Sequence, residues 1–476
     1  MPRRPSPALV EVITQVIDAP LALVANAERW PLLFTHRAGK DQRAPVTDQP
    51  SGVPFAGDAL FLSDAQLHAS ALDLSQTVLP PRLRPRAEVG VLDITEFYGD
   101  TTGGVRTYLR EKAAYVEAHP AYRQVLALPG SRDAISQSDG VRVYRLKGPV
   151  VPKQAPYRFM LATRSNRRIV RHEAPNLIEV GSPGLVPWIV RLAARGLNIP
   201  VVAFYHSNFP RLFSAWPERA PWWQRTLHDV AWKYARRIDR HFAHTIVCSR
   251  FVMDDLHQAG IDRVSLIPLG VDLALYHPRR RAKREEVRAR YGLPAELVAG
   301  FVGRFAPEKE LDLLLRAWPA VYRNTGAVLA LVGDGPERPM LEAMAAGAPW
   351  IRFLPYERDR ERLADLLASW DLFVAPSSNE TFGLAPLEGL ASGTPVLSAD
   401  RGGISEQVET SGAGERFVSG GVGSLTETAV RLLGANLEAL GARGRAHAEA
   451  NHSWNSVFDR IFALYRQVVR DHAGGA

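Results

Sequence analysis

Two glutamates in one short segment define the chemistry this sequence could do. Glu380 and Glu388 lie in Asn379-Glu380-Thr381-Phe382-Gly383-Leu384-Ala385-Pro386-Leu387-Glu388, between the apolar runs DLFVAPS and TPVLSAD. Pro386 is tolerated in a first helical turn, where its missing N–H is not needed, so the segment predicts a loop carboxylate and then a helix opening near Phe382 to Leu384. The free N–H groups of Gly383 and Leu384 would point at whatever sits above the strand ends, a position that favours a diphosphate. Gly383 also lets the backbone come close. Glu388, one turn further in, can accept two hydrogen bonds from a vicinal diol such as a ribose. Glu380 can reach hydroxyls of a sugar on the other side of the phosphates. An isolated pair of glutamates is more often a solvated loop acid and an exposed helix position, so this reading depends on the neighbourhood.

That neighbourhood is Val302-Gly303-Arg304-Phe305-Ala306-Pro307-Glu308-Lys309, which closes the first strand of the same half of the chain. Arg304 and Lys309 would supply the permanent cations that a leaving diphosphate needs. By themselves they would be a surface couple with Glu308 or Glu310. Together with the two glutamates they describe a nucleotide-sugar grip.

Elements that could hold such a site are legible in the alternation of short apolar runs with helical patterns. From Glu88 onward the runs are VGVLDI, QVLALPG, VRVYRL, NLIEVGS, IPVVAFYHS, TIVCS and VSLIPLG, with helical stretches such as GGVRTYLREKAAYV and LVPWIVRLAARGL between them. A second cycle follows the basic stretch HPRRRAKREEVRARYG, read as a hinge helix of mixed charge: LVAGFVGR, AVLALVGDG, WIRFLPY, DLFVAPS and TPVLSAD. Buried parallel strands with crossover helices have this texture, and two doubly wound α/β domains in tandem are the expected result. The expected boundaries are an extension of unknown role over 1–86, a first domain over 87–278, a second over 279–452, and a C-terminal helix over 453–476 that stays on the second domain or crosses back to the first. The extension holds eleven prolines and ends in PPRLRPR, which has the look of a linker. In the first domain, Thr101-Thr102-Gly103-Gly104 precedes a helix, a glycine turn that permits close backbone approach. His206 stands where the strand IPVVAF ends.

LIPLGVDLALYHP, VGRFAPEK, LVGDGPER and APSSNETFGLAPLEGLASGTPVLSADRGGISE, spaced in this order along the chain, together resemble the family 4 glycosyltransferases of the GT-B fold. The resemblance runs from about Val89 to Tyr465. It implies two Rossmann-like domains facing a cleft and a retaining, metal-independent hexosyltransferase that uses a nucleoside diphosphate sugar as co-substrate, with no cofactor. It implies that Glu380 contacts the donor sugar, that Glu388 holds the ribose, and that Arg304 and Lys309 neutralise the diphosphate. Gly303, Phe382, Gly383 and Leu384 complete the donor cradle. Gly103 and Gly104 match the glycine loop of the first domain, and His206 matches a histidine that contacts the donor sugar or phosphate. Two positions depart from the pattern. Glu310 stands where the family commonly has glycine, placing a negative charge beside Lys309, and Pro355 replaces a frequent glycine near the expected base pocket.

Composition bounds the rest. The chain has 476 residues, 46% hydrophobic and 23% charged, which excludes a peptide or a wholly disordered protein. The lone Cys248 excludes an internal disulfide framework and a paired-thiolate zinc site, and suits a reducing compartment. The histidines have no metal-ligand spacing and no D-x-D sequence occurs. Glu11, Gln15, Asp18 and Pro20 interrupt what would be a signal core, and no run is apolar enough to span a membrane, so a cytoplasmic protein is expected. Residues 101–250 carry 24 basic and 9 acidic side chains, while 301–450 carry 14 and 20. Within the basic part, Trp216, Trp222, Trp223, Trp232 and Tyr234 interleave with Arg225, Lys233, Arg236, Arg237 and Arg240, a pattern suited equally to an anionic membrane surface or to a core with a solvated face. The YHSNFP segment resembles glycolipid-building transferases, which favours a lipid acceptor and peripheral attachment to the inner face of a membrane. No nucleic-acid module is present. The alternatives are a polysaccharide or soluble acceptor, a sugar-nucleotide epimerase or phosphorylase on the same fold, and an inactive sugar-nucleotide binding protein.

Overall fold

The computed structural model describes residues 60–61, 63, 66–69, 72–99, 103–151, 157–212 and 222–474. Thr101, Thr102, Trp216 and the side chains of Trp222, Trp223 and Arg225 lie outside the described residues. The chain forms two compact units. The first takes the described residues up to His206, then Asp229–Ile246 and the end of the last helix from Phe462; the second takes Ser207–His228 and Val247–Ile461.

Eight strands make the first sheet: β1 (Val89–Ile94), β2 (Tyr122–Gly130), β3 (Ala134–Ser138), β4 (Val141–Lys147), β5 (Leu177–Val180), β6 (Val201–Phe204), β7 (His244–Val247) and β8 (Val264–Leu266), in the order β3-β4-β2-β1-β5-β6-β7-β8. β1, β2 and β5 are buried at every position, the mark of strands covered on both faces. β3 is the exception to the expected parallel pattern. It pairs antiparallel with β4 at the sheet edge, and its sequence AISQS is too polar to announce a buried strand.

The second sheet holds β9 (Val298–Val302), β10 (Val328–Val332), β11 (Ile351–Leu354), β12 (Leu372–Ala375), β13 (Val396–Ala399) and β14 (Gly414–Phe417), in the order β11-β10-β9-β12-β13-β14. All its pairings are parallel. Numbered from its own first strand this is 3-2-1-4-5-6, the doubly wound order whose direction reverses between β9 and β12. Gly300 sits in the middle of β9 because the Trp370 ring crosses there: a Cβ would come within 2.4 Å of it. The helix Leu311–Thr325 packs Leu311, Leu314, Leu315, Trp318 and Val321 inward, an i, i+3, i+4, i+7 face. It stops at Gly326, whose φ of 73° and N–H bond to the Tyr322 carbonyl form a left-handed cap.

Two sequence readings change on folding. PPRLRPR is packed along the first unit: the Arg84 guanidinium donates to the carbonyls of Val116, His119 and Tyr122 at 2.8–3.1 Å, and Arg142 donates to those of Pro80 and Pro81. The basic stretch after His277, which includes the mixed-charge helix Arg284–Arg290, is likewise packed through several of its arginines. Arg284 and Arg288 both pair with Asp371, at 2.5 and 2.6 Å, and Arg280 pairs with Asp365 at 2.6 Å. Arg281 and Arg288 donate to the carbonyls of Ala368, Ser369 and Trp370, at the C-terminal end of the helix Arg360–Ser369, where cations are favoured. Arg280, Arg281, Arg284 and Arg288 are thus engaged internally, while Lys283, Glu285, Glu286 and Arg290 stay exposed.

Candidate active site

In the second unit, the loops that leave β9 and β12 flank the reversal point of the sheet, where doubly wound folds take ligands. The β9 loop carries Gly303, half-buried Arg304 and the short 3-10 turn Pro307–Lys309. It lies on the β10 loop so closely that a Cβ on Gly333 would meet the Gly303 carbonyl at 1.9 Å, and one on Gly335 the Phe305 carbonyl at 2.3 Å. The Phe305 N–H donates to the Asp334 carbonyl at 2.9 Å. GDG after β10 is therefore the floor that fixes the Arg304 loop, a role its sequence alone did not indicate.

From the other side comes the loop after β12. Ser377 and Ser378 are buried, and Glu380 is partly exposed. The Lys309 ammonium pairs with the Glu380 carboxylate, so the residues expected to meet the diphosphate and the sugar are joined to each other. Lys309 does not take Glu308 or Glu310 as its partner in this pair. Glu310 instead turns its carboxylate to Ser378, accepting from the backbone N–H at 2.8 Å and from Oγ at 2.5 Å. The Glu380 carbonyl accepts from the Gly403 N–H at 2.7 Å.

The helix after this loop runs Leu384–Ala391, with Gly383 as its N-cap at φ 90° and no side chain capping it. A side chain at 383 would be strained by that φ and would strike Ile404, whose Cγ1 lies 2.4 Å from an ideal Cβ. Gln407 fastens the entry by donating to the Phe382 carbonyl at 2.5 Å. Phe382 is buried under the loop rather than displayed on it. Glu388 is half-buried one turn in and is hydrogen-bonded by the Tyr276 hydroxyl, whose pKa is driven well above the usual phenol range by burial and then by the Glu388 charge. Arg360 also bonds that hydroxyl. Tyr276 and Arg360 were not singled out from sequence; Tyr276 lies in the quoted LIPLGVDLALYHP, but nothing local says that it meets a residue 112 positions later.

In the first unit, Gly103 caps the helix Gly104–Ala118 without a side-chain bond to its amides. Its φ of −75° is open to any residue, and a Cβ there would meet nothing within 4 Å. Glycine at 103 is thus demanded neither by its φ nor by crowding from the described residues around it. His206 follows β6, its ring stacked on Phe204 at 4.2 Å and edge-on to Tyr108 at 5.1 Å. Burial, and then the Lys112 charge, lower its pKa to about 3, so its imidazole is neutral at physiological pH. A neutral ring suits a sugar hydroxyl better than a phosphate.

Beneath it lies a buried polar network. Lys112 donates to Asp93 at 2.5 Å and to the Tyr465 hydroxyl at 2.8 Å, with Glu179 at 3.4 Å. Tyr108 and Tyr465 both donate to Glu179, whose carboxyl burial raises to about 8 against the pull of Lys112. Tyr465 belongs to the last helix, so this network fastens that helix to the first unit. Tyr234, one of the interleaved aromatics, is a core residue: its hydroxyl donates to the Gly184 carbonyl at 2.6 Å and accepts from the Trp188 indole at 3.0 Å. Among the described residues no group of three or more His, Cys, Asp or Glu is placed to hold a metal ion, and no helix is long and apolar enough to cross a membrane.

Two doubly wound units with cations and carboxylates gathered at one sheet reversal are the architecture of a GT-B glycosyltransferase. Residues 102–275 match the family described as Glycosyltransferase Family 4, and residues 296–435 match that described as Glycosyl transferases group 1. A GDP-mannose-dependent alpha-mannosyltransferase of Mycobacterium tuberculosis is 32% identical over 71% of this chain and 85% of its own length. A GDP-mannose-dependent alpha-(1-6)-phosphatidylinositol dimannoside mannosyltransferase of the same species is 31% identical over 66% and 81%. Sucrose-phosphate synthase from Thermosynechococcus elongatus shares the fold, with a TM-score of 0.64 and 21% identity over 80% of this chain and 100% of that one. The chain belongs to glycosyltransferase family 4 and is a hexosyltransferase of the nucleotide-sugar-dependent kind.

Proposed function

We propose that this chain transfers a mannosyl group from GDP-mannose, with retention of configuration and without a metal ion, to a glycolipid acceptor with a phosphoinositol head. The observation that carries the donor half is the gathering of Arg304, Lys309, Glu380 and Glu388 on the two loops and one helix that flank the reversal of the second sheet. As the bond from the sugar C1 to the diphosphate breaks, negative charge grows on the leaving group, and Arg304 and Lys309 neutralise it. Glu388, steadied by Tyr276, accepts from the ribose hydroxyls, and Glu380 accepts from sugar hydroxyls once the diphosphate draws Lys309. Gly303, Gly383 and Leu384 line the phosphates. The first domain, 87–278, takes the acceptor, with Gly103 and Gly104 at its helix end and neutral His206 bonding the sugar; the second, 279–452, takes the donor. The identity of sugar and acceptor rests on the names of the mannosyltransferase relatives.

Thermal unfolding with a panel of nucleotide sugars tests the donor, because a ligand of the native state raises stability by mass action. GDP-mannose is expected to raise the melting temperature and UDP-glucose to leave it unchanged; the reverse pattern would overturn the donor assignment. Transfer to phosphatidylinositol mannosides should follow and should survive chelator. Arg304→Ala and Glu388→Ala should lower kcat/KM by about a hundredfold or more while leaving the circular dichroism spectrum unchanged. Wild-type turnover in both folded variants would remove these residues from the site.

A further inference from the structure

Glu310 holds a backbone conformation that L side chains avoid, with φ 52° and ψ 38°, at the junction of the Pro307–Lys309 turn and the helix Leu311–Thr325. Only three non-glycine residues described have positive φ, and Glu310 is the one inside the candidate donor site. A glycine would meet the backbone requirement without strain. What glycine lacks is the carboxylate, which accepts from both the N–H and the hydroxyl of buried Ser378. A second bond runs in parallel, since Ser377 Oγ donates to the Glu308 carbonyl at 2.7 Å. Lys309, which lies between Glu308 and Glu310, and Glu380, two residues beyond Ser378, are the residues joined in the ion pair.

We propose that Glu310 is a positioning residue that clamps the loop after β12 to the Lys309 turn, setting Lys309 and Glu380 in register before donor arrives. Backbone strain at 310 is the structural cost of that clamp, and the paired bonds to Ser378 are what it secures. The clamp touches no substrate. It works by holding two loops that come from different strands, so its loss shows in donor binding and loop opening rather than in the stability of the core. The inference rests on the donor-site reading given above.

Hydrogen exchange and titration with GDP and with UDP, on the full chain, test it. Glu310→Gly relieves the strain and removes the carboxylate oxygen, Oε1, that accepts both bonds. We expect its melting temperature to equal or exceed that of wild type, the backbone amides of 377–381 to exchange faster, and affinity for the bound nucleotide to fall about tenfold. Glu310→Gln keeps an acceptor oxygen and should restore both exchange protection and affinity. Ser378→Ala combined with Glu310→Gly should be no worse than Glu310→Gly alone, because the two changes break one contact. Unchanged exchange in Glu310→Gly, or failure of Glu310→Gln to rescue, would overturn the clamp. If Arg304→Ala and Lys309→Ala bind both nucleotides as wild type does, the donor site itself is wrong, whereas loss in those two with full affinity in Glu310→Gly discards the clamp alone.

Discussion

Tyr276 shows how a residue without a substrate role in its sequence signature comes to hold a glutamate of the proposed donor site. Its hydroxyl holds Glu388, and removing this charge-assisted bond to a half-buried carboxylate should cost about 1.5 kcal/mol in the geometry Glu388 presents. Tyr276→Phe should therefore raise the donor KM by about tenfold with little change in kcat; an equal loss in kcat and kcat/KM would place Tyr276 in the chemical step instead. His206 makes the complementary prediction about pH. Its folded pKa of about 3 lies below the ordinary imidazole value, and buried His452 is lowered in the same way to about 4. Above pH 6.5 both states of each ring are neutral. As pH falls below that value the unfolded chain takes up protons that the folded chain refuses, so stability declines between about pH 6.5 and 4. The His206→Asn, His452→Asn double variant should show a flatter decline of the urea midpoint over that window, and an unaltered slope would refute the assignment.

At the scale of elements, the helix Leu384–Ala391 is set by one glycine and one glutamine. Gly383→Ala has two penalties, an unfavourable φ of 90° and contact with Ile404, and should destabilise the second unit by at least about 1 to 3 kcal/mol in chemical denaturation. A variant as stable as wild type would mean that the loop can re-enter the helix another way. Most elements were legible in the sequence because buried parallel strands read as short apolar runs and their helices as 3.6-residue stripes. β3 and β14 escaped that reading: AISQS and GERF are polar, and both strands lie at sheet edges where one side needs no burial. The arginine run Arg279–Arg290 was legible as basic but not as paired, since its acids, Asp365 and Asp371, lie about eighty residues away.

For the whole molecule, the excess of basic residues in 101–250 carries the prediction about membranes. The exposed face of the helix Trp222–Asp239 includes Lys233, Arg236 and Arg237, with Arg240 just beyond its end, whereas Tyr234 points inward. Attraction to an anionic surface contributes at most about 1 kcal/mol per Lys or Arg and is screened by salt. Flotation with anionic vesicles should recover the protein at low ionic strength and lose it at high, and neutral vesicles should bind poorly. A protein left entirely in the soluble fraction at low salt would point to a soluble or polysaccharide acceptor.

Residue types and their order determined the α/β class, the two doubly wound cycles and the family, because hydrophobic period and motif spacing are properties of the chain itself. The identity of the charged groups near the sheet reversal was also readable, since each lies in a short motif after a strand. Partnership was not. Lys309 takes Glu380, Glu310 takes Ser378, Glu388 takes Tyr276, and Lys112 joins Asp93 and Glu179 to Tyr465. Each of those pairings spans tens to hundreds of residues and depends on which strand ends lie side by side. The low pKa of His206 follows for the same reason: Phe204 stands two residues before it, but the Tyr108 ring and the Lys112 ammonium come from the helix Gly104–Ala118, and only the tertiary structure brings them to the imidazole and buries it.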